Sequence, residues 1–174
     1  MDFRPAGMRD LVQLKIMYRQ IVQDMNAQGI RIWDEIYPCE FLEEDIKMNR
    51  LYVLLDGDRI VSAFALSATN SGESTVQWMD DRAKALYIDR LGVDTAYSKQ
   101  GIGSFMLARA KEITKAAGAE YLRLFVVDIN EPAIRLYRRN GFAKADGVYE
   151  ETFPDGFALH EYGYEIKVES SKMK

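Results

Sequence analysis

The tetrapeptide Gln100-Gly101-Ile102-Gly103 stands between an alternating apolar run and a helical pattern. Strand, glycine turn and helix N-terminus, in that order, make an anion site. The first backbone N–H groups of a helix have no acceptor within it, and they carry the positive end of its dipole. Glycine removes Cβ atoms, so a phosphate can come close to the main chain. The stretch therefore predicts a phosphate-bearing ligand. No Gly-Lys-Ser/Thr follows it, and Met106 stands where a dinucleotide fingerprint needs its third glycine. Other phosphate carriers stay open, as does the plainer reading in which two glycines only supply positive φ.

The remaining chemistry must come from few residue types. One histidine, His160, and one cysteine, Cys39, are too few for a zinc site. His160 lies in an alternating run and reads as an ordinary strand histidine, and Cys39 as a small apolar residue. No metal is expected. Asp89, on the strand before the loop, is a candidate base acting directly or through water, with a salt-bridged carboxylate as the alternative. Glu150 and Glu151 are similar candidates. Tyr137 shares a helix face with Ala133 and Ile134 and, on that alone, reads as a core tyrosine. Asn130 is a natural helix cap. Trp33, Tyr37 and Trp78 either wall a pocket, with Asp34 or Glu35 attracting a cation, or pack as a hydrophobic lid.

The elements that must position these groups follow from periodicity. Residues 2–5 read as a short strand. Leu11, Leu14, Tyr18, Ile21, Val22 and Met25 make a helix with one buried stripe. A second helix is expected over 40–48, a hairpin over 51–68 turning at Asp56-Gly57-Asp58, and a polar irregular stretch over 69–84. Residues 85–93 form a strand, 104–117 a helix, 121–127 a strand, and a helix entered through Asn130 and Pro132 ends at Gly141. Further strands flank Pro154-Asp155-Gly156. Hairpins at both ends around a β-α-β centre predict an α/β (α+β) fold: a mixed, mostly antiparallel twisted sheet of six to seven strands with four helices. A single domain is expected over 1–168, with a frayed tail over 169–174.

The chain has 174 residues, 48% hydrophobic and 29% charged, which suits a globular domain with a full core. Its net charge of -4 argues against a nucleic-acid partner. No apolar run reaches the roughly 20 residues of a membrane span, and MDFRPAGMRD lacks the apolar stretch of a signal peptide. A lone cysteine fits a reducing compartment, so a cytoplasmic protein is expected.

Three features then coincide. Leu91-Gly92-Val93 ends a strand. Ser98-Lys99-Gln100-Gly101-Ile102-Gly103 leads into a helix. About 27 residues beyond Gly103 comes Asn130-x-x-Ala133-x-x-x-Tyr137-x-x-x-Gly141-Phe142. Together they resemble the GNAT superfamily of acyl-CoA-dependent N-acyltransferases, from about Leu86 to Phe142. The family loop reads Gln/Arg-x-x-Gly-x-Gly/Ala; Ser98 departs from it at the first position.

The resemblance implies acetyl-CoA as co-substrate and a small-molecule or peptide amine as acceptor. It implies that Leu91 and Val93 offer main-chain groups to the pantetheine arm, and that Gln100, Gly101, Ile102, Gly103 and Ser104 cradle the diphosphate beside Ser98 and Lys99. Asn130 would hydrogen-bond the cofactor arm, Arg138 or Arg139 would reach phosphate, and Tyr137 would protonate the leaving thiolate. A homodimer is compatible with it. The rival class is an acyl-CoA-binding sensor of the same fold without turnover; a nucleotide-binding domain of another kind is a third.

Overall fold

The computed structural model describes residues 1–169. The chain forms two compact units, one of residues 1–66 with 89–106, the other of residues 67–88 with those from Leu107 onward. Of the tail expected over 169–174, residues 170–174 lie outside the described residues.

In the first unit, β1 (Asp2–Pro5) is an edge strand antiparallel to β2 (Leu51–Asp56), which turns through Gly57-Asp58 into β3 (Arg59–Ser67). Helices α1 (Leu11–Ala27) and α2 (Cys39–Lys47) cover them. The stripe read from the sequence is the buried one: Leu14 and Tyr18 are fully buried, and Ile21 nearly so. They meet Leu42 and Ile46 of α2 and Val53 of β2 in one apolar cluster. Each large side chain buried there contributes about 1.5–3 kcal/mol.

The second unit holds the first half of β5 (Ala85–Val93), with β6 (Tyr121–Val127) and β10 (Ala158–Lys167). β5 and β6 are parallel, joined by α3 (Ile102–Ala116). β10 runs antiparallel to β6, to β7 (Ala143–Lys144) and to β9 (Tyr149–Thr152). Helix α4 (Glu131–Arg139) follows β6. Among the described residues the sheet order is β1-β2-β3-β5-β6-β10-β7, with β9 on β10, eight strands in that sheet.

Three details differ from the periodicity reading. The polar stretch over 69–84 contains β4 (Val76–Gln77), which pairs with β8 (Asp146–Gly147) in a separate two-stranded sheet. Short pairings of this kind leave no periodic signal. Helix α3 starts at Ile102, two residues before Ser104, because the Phe105 amide already donates to the Gly101 carbonyl at 3.0 Å. The periodicity of its apolar residues would run the buried seam on to Ala117, but Ala117 is exposed and the seam passes through Leu107 and the fully buried Thr114. The Thr114 hydroxyl spends itself on the Ala110 carbonyl at 2.7 Å, which lets a polar residue occupy an apolar seam.

Candidate active site

In the first unit the site begins at the end of β5. The parallel ladder runs from Ala85↔Tyr121 to Ile88↔Leu124. Two residues on, Arg90 takes φ +57°, a left-handed conformation in the middle of a strand. Leu91 and Val93 follow, both half-buried, with the buried Gly92 between them. Gly92 is fixed from two sides: the Ser62 hydroxyl donates to its carbonyl at 2.7 Å, and the Tyr18 ring lies against its Cα.

The loop then leaves the strand through a polar anchor. Asp94 accepts from the Ala96 amide at 3.0 Å, capping a 3-10 turn over Thr95–Tyr97. The same carboxylate takes two bonds from Arg59, at 2.8 and 3.2 Å, and the Tyr97 hydroxyl donates to Asp56 at 2.7 Å. Both partners sit at the β2–β3 turn, so that hairpin holds the base of the loop. Ser98, Lys99, Gln100 and Gly101 beyond it are exposed. Lys99 and Gly101 are both left-handed, at φ +60° and +78°, which curls the chain into the start of α3. Apart from Gly101 itself and its chain neighbours, no heavy atom among the described residues lies within 4 Å of where a Gly101 Cβ would stand. A cavity of about 330 Å³ opens there, lined by Gln100, Gly101, Ile102, Phe105, Leu54 and Met1. The first-turn amides of Ile102 and Gly103 have no acceptor within the helix. Open space, absent side chains and unspent amides together suit a diphosphate.

Asp89 is half-buried. It adds to the field that keeps Arg90 charged: burial opposes that charge, but Tyr37, Asp45 and Asp89 outweigh it and raise the Arg90 pKa. Trp33 packs on the core cluster of this unit, 5.8 Å from the Tyr18 ring, and an aromatic chain continues from Trp33 to Tyr37 at 6.3 Å and Phe41 at 5.5 Å. Asp34 closes its own loop, accepting from the amides of Ile36 and Tyr37 at 2.8 and 2.7 Å. Glu35 remains exposed.

In the second unit, the Asn130 side chain accepts from the Ala133 amide at 3.4 Å and caps α4. Tyr137 faces inward, 8% exposed, its ring 6.0 Å from Phe142 in an edge contact. Burial alone pushes its pKa above the ordinary value of 10.0, so the phenol keeps its proton. Arg138 and Arg139 are exposed on the same helix. Trp78 is drawn into the core of this unit. It is 7% exposed, its indole N–H donates to the Glu73 carbonyl at 2.9 Å, and the Arg123 guanidinium covers its ring at 4.6 Å. His160 and Glu150 face each other across β9 and β10 as an exposed pair 3.4 Å apart. Cys39 is buried, and burial pushes its thiol pKa up. Among the described residues no three His, Cys, Asp or Glu side chains are grouped to hold a metal. No helix of the described residues is long and apolar enough to cross a membrane.

Sequence reasoning passed over Arg90, Asp45, Asp94 and Tyr97. Only Asp94 carried a local signal, as an aspartate immediately after a strand and two residues before the amide it caps.

Residues 18–142 match the family described as acetyltransferase (GNAT). The chain belongs to that family. It is 34% identical to the streptothricin acetyltransferase of Streptomyces lavendulae over 74 residues, 41% of this chain. That match spans about two fifths of the relative, 39% of its length. NAA60 of Arabidopsis thaliana, solved with a bisubstrate analogue, superposes with a TM-score of 0.69 at 21% identity, covering 98% of this chain and 99% of that one. The yncA protein of Salmonella typhimurium, solved with its cofactor acetyl-CoA, gives 0.66 at 15% identity, covering 98% and 95%. At such identities the likeness is one of fold. The GNAT family fold accounts for the mixed, mostly antiparallel sheet and the four helices described above.

Proposed function

We propose that the protein transfers the acetyl group of acetyl-CoA to a primary amine of a small molecule or peptide, by direct attack in a ternary complex. The observation that carries this reading is the loop over 98–104. Its left-handed Lys99 and Gly101 turn bare main chain toward open space at a helix N-terminus, in a chain of an acetyltransferase family.

Acetyl-CoA supplies an acyl group activated as a thioester. The residues assigned to its capture are the main-chain groups of Leu91 and Val93 for the pantetheine arm, Gln100 to Ser104 for the diphosphate, Asn130 for the arm and Arg139 for phosphate. The Val93 amide, at a strand end, is assigned to the oxyanion that forms as the amine adds. The amine must arrive neutral, so Asp89, directly or through water, takes its proton. Tyr137 gives its proton to the sulfur as the carbon–sulfur bond breaks. Burial keeps that proton in place at neutral pH, which is what an acid poised for the last step requires. Holding both partners together supplies about 7–11 kcal/mol at the upper limit. Trp33 and Tyr37 are assigned to the acceptor side, with Glu35 attracting a cationic amine before it loses its proton. The burial of Trp78 supports a packing role for it instead. The buried free thiol of Cys39 is compatible with a cytoplasmic setting.

Calorimetric titration with acetyl-CoA, followed by thiol release in the presence of streptothricin, a polyamine and a peptide with a free N-terminus, tests this. Saturable heat and thiol release with at least one amine are expected. Absence of heat and of any thermal shift with acetyl-CoA would refute it; binding without turnover on any amine would favour the sensor reading.

A further inference from the structure

An arginine at φ +57° in a strand is strained and persists only where its surroundings over-determine it. Three holds converge on Arg90. Its guanidinium makes two bonds to Asp45, Nε to Oδ2 and Nη2 to Oδ1, both at 2.8 Å. Its carbonyl accepts from the Tyr18 hydroxyl. Its guanidinium lies 5.1 Å from the centre of the Phe41 ring. Asp45 is fully buried, and Arg50 Nε also donates to it at 2.7 Å. Helix α1 thus grips the main chain at Arg90, and helix α2 grips its side chain.

We infer that the Asp45–Arg90 pair is a positioning device: it holds the left-handed turn at Arg90 and thereby aims the main-chain groups of Leu91 and Val93. This rests on the acyl-CoA reading of β5 given above. The geometry of the pair explains why arginine serves here. Two parallel N–H donors fix the guanidinium plane against the carboxylate, and a plane fixed at the end of the side chain restricts the backbone that carries it. A lysine would keep the charge and lose the plane. Glycine would accept the turn without help but would not impose it. The loop over 30–38 reaches the same group through Tyr37, whose ring lies 5.5 Å from that of Phe41 in an edge contact.

A role confined to stability predicts something different from a role in positioning, and four variants separate them. Acetyl-CoA affinity by calorimetry, amide exchange over 89–93 and the melting temperature are measured for Asp45→Asn, Arg90→Lys, Arg90→Ala and Arg90→Gly. Glu43→Gln, in an exposed ion pair with Lys47, is the control expected to match wild type. Asp45→Asn and Arg90→Lys are expected to weaken acetyl-CoA binding on the order of tenfold, about 1.4 kcal/mol, with faster exchange at Leu91 and Val93. Arg90→Gly is expected to bind more tightly than Arg90→Ala, because glycine can enter the turn without strain. Folded variants that all bind within twofold of wild type, or equal affinities for the Ala and Gly variants, would overturn the inference. Arg90→Lys, which leaves a cation opposite Asp45, keeps the test available if the neutral variants do not fold. Failure of the wild-type protein itself to bind acetyl-CoA would instead overturn the acyl-CoA reading, and the inference with it.

Discussion

Gly92→Ala puts one methyl group into the closest packing of the site. A Cβ on residue 92 would stand 2.9 Å from Tyr18 Cε1, 3.0 Å from Ile21 Cδ1 and 3.5 Å from Tyr18 Cδ1. Carbon atoms rest at about 3.5–4.0 Å, so two of these contacts fall at least half an ångström short. Ile21 Cδ1 is the free end of a side chain and can turn away. The Tyr18 ring cannot: it is fully buried, its hydroxyl is bonded to the Arg90 carbonyl, and Trp33 lies against it. Overpacking of this kind costs about 1–3 kcal/mol, offset by about 0.4–1 kcal/mol from the lower entropy of the unfolded alanine chain. The net is a loss of about 1–2 kcal/mol, or roughly 2–8 °C in melting temperature for a chain of this size. The strand should also move away from α1 at the residue between Leu91 and Val93, so acetyl-CoA affinity should fall with stability. Adding Ile21→Val removes one offending atom, and a double-mutant cycle should show a favourable coupling of about 0.5 kcal/mol or more. If Gly92→Ala melts within a degree of wild type and binds acetyl-CoA unchanged, the close approach of Tyr18 to β5 is not a constraint and the reasoning fails.

Tyr137→Phe should lower kcat by about 10²-fold while leaving acetyl-CoA binding in place. Because burial raises the Tyr137 pKa above 10.0, the phenol is protonated at every pH below that value. The stabilisation tied to the neutral form is complete below the unfolded pKa and is lost only as pH rises past it. The pH profile of kcat/KM should therefore show no Tyr137-dependent fall below about pH 10, and such a fall, or an unchanged kcat in the Phe variant, would remove Tyr137 as the acid. Gly101→Ala and Gly57→Ala should lose similar stability, about 1 kcal/mol each, since both have positive φ and open space around the added Cβ. Only Gly101→Ala should weaken acetyl-CoA binding, by more than about tenfold; equal effects on binding would mean the methyl group at residue 101 does not meet the ligand.

How far the site could be read from sequence depends on the range of the interaction that fixes each residue. Asn130 and Ala133 are three residues apart, so the cap was legible in the spacing. The stripe of α1 was legible because one helix face records its own burial. Arg90 was not. Nothing next to it in the chain calls for a left-handed residue, and the partner that sustains the turn, Asp45, is 45 residues away. Gly92 shows the same limit: a glycine inside a strand signals a close approach, but not that Tyr18 is what approaches. For Trp78 the sequence left two readings open, pocket wall and packing; the close approach of its ring to Gly163, where a Cβ would stand 2.9 Å from the indole, involves a residue far along the chain that no local spacing names.

Ser98 is the position where the loop departs from the family pattern, and we propose that the departure is tolerable because the loop is shaped by other residues. The serine is exposed, and the bonds that shape the loop lie upstream of it: Asp94 to Arg59, Asp94 to the Ala96 amide, and Tyr97 to Asp56. Downstream, the turn is set by left-handed Lys99 and Gly101. A main-chain cradle held from both ends asks little of the side chain at its rim. Backbone dihedrals at 99 and 101, and the anchors at 94 and 97, are what it cannot exchange. Sequence variation at residue 98 should therefore be a poor guide to cofactor binding, and variation at Asp94 a good one. A carboxylate that serves both as turn cap and as partner of Arg59 loses two functions in a single substitution.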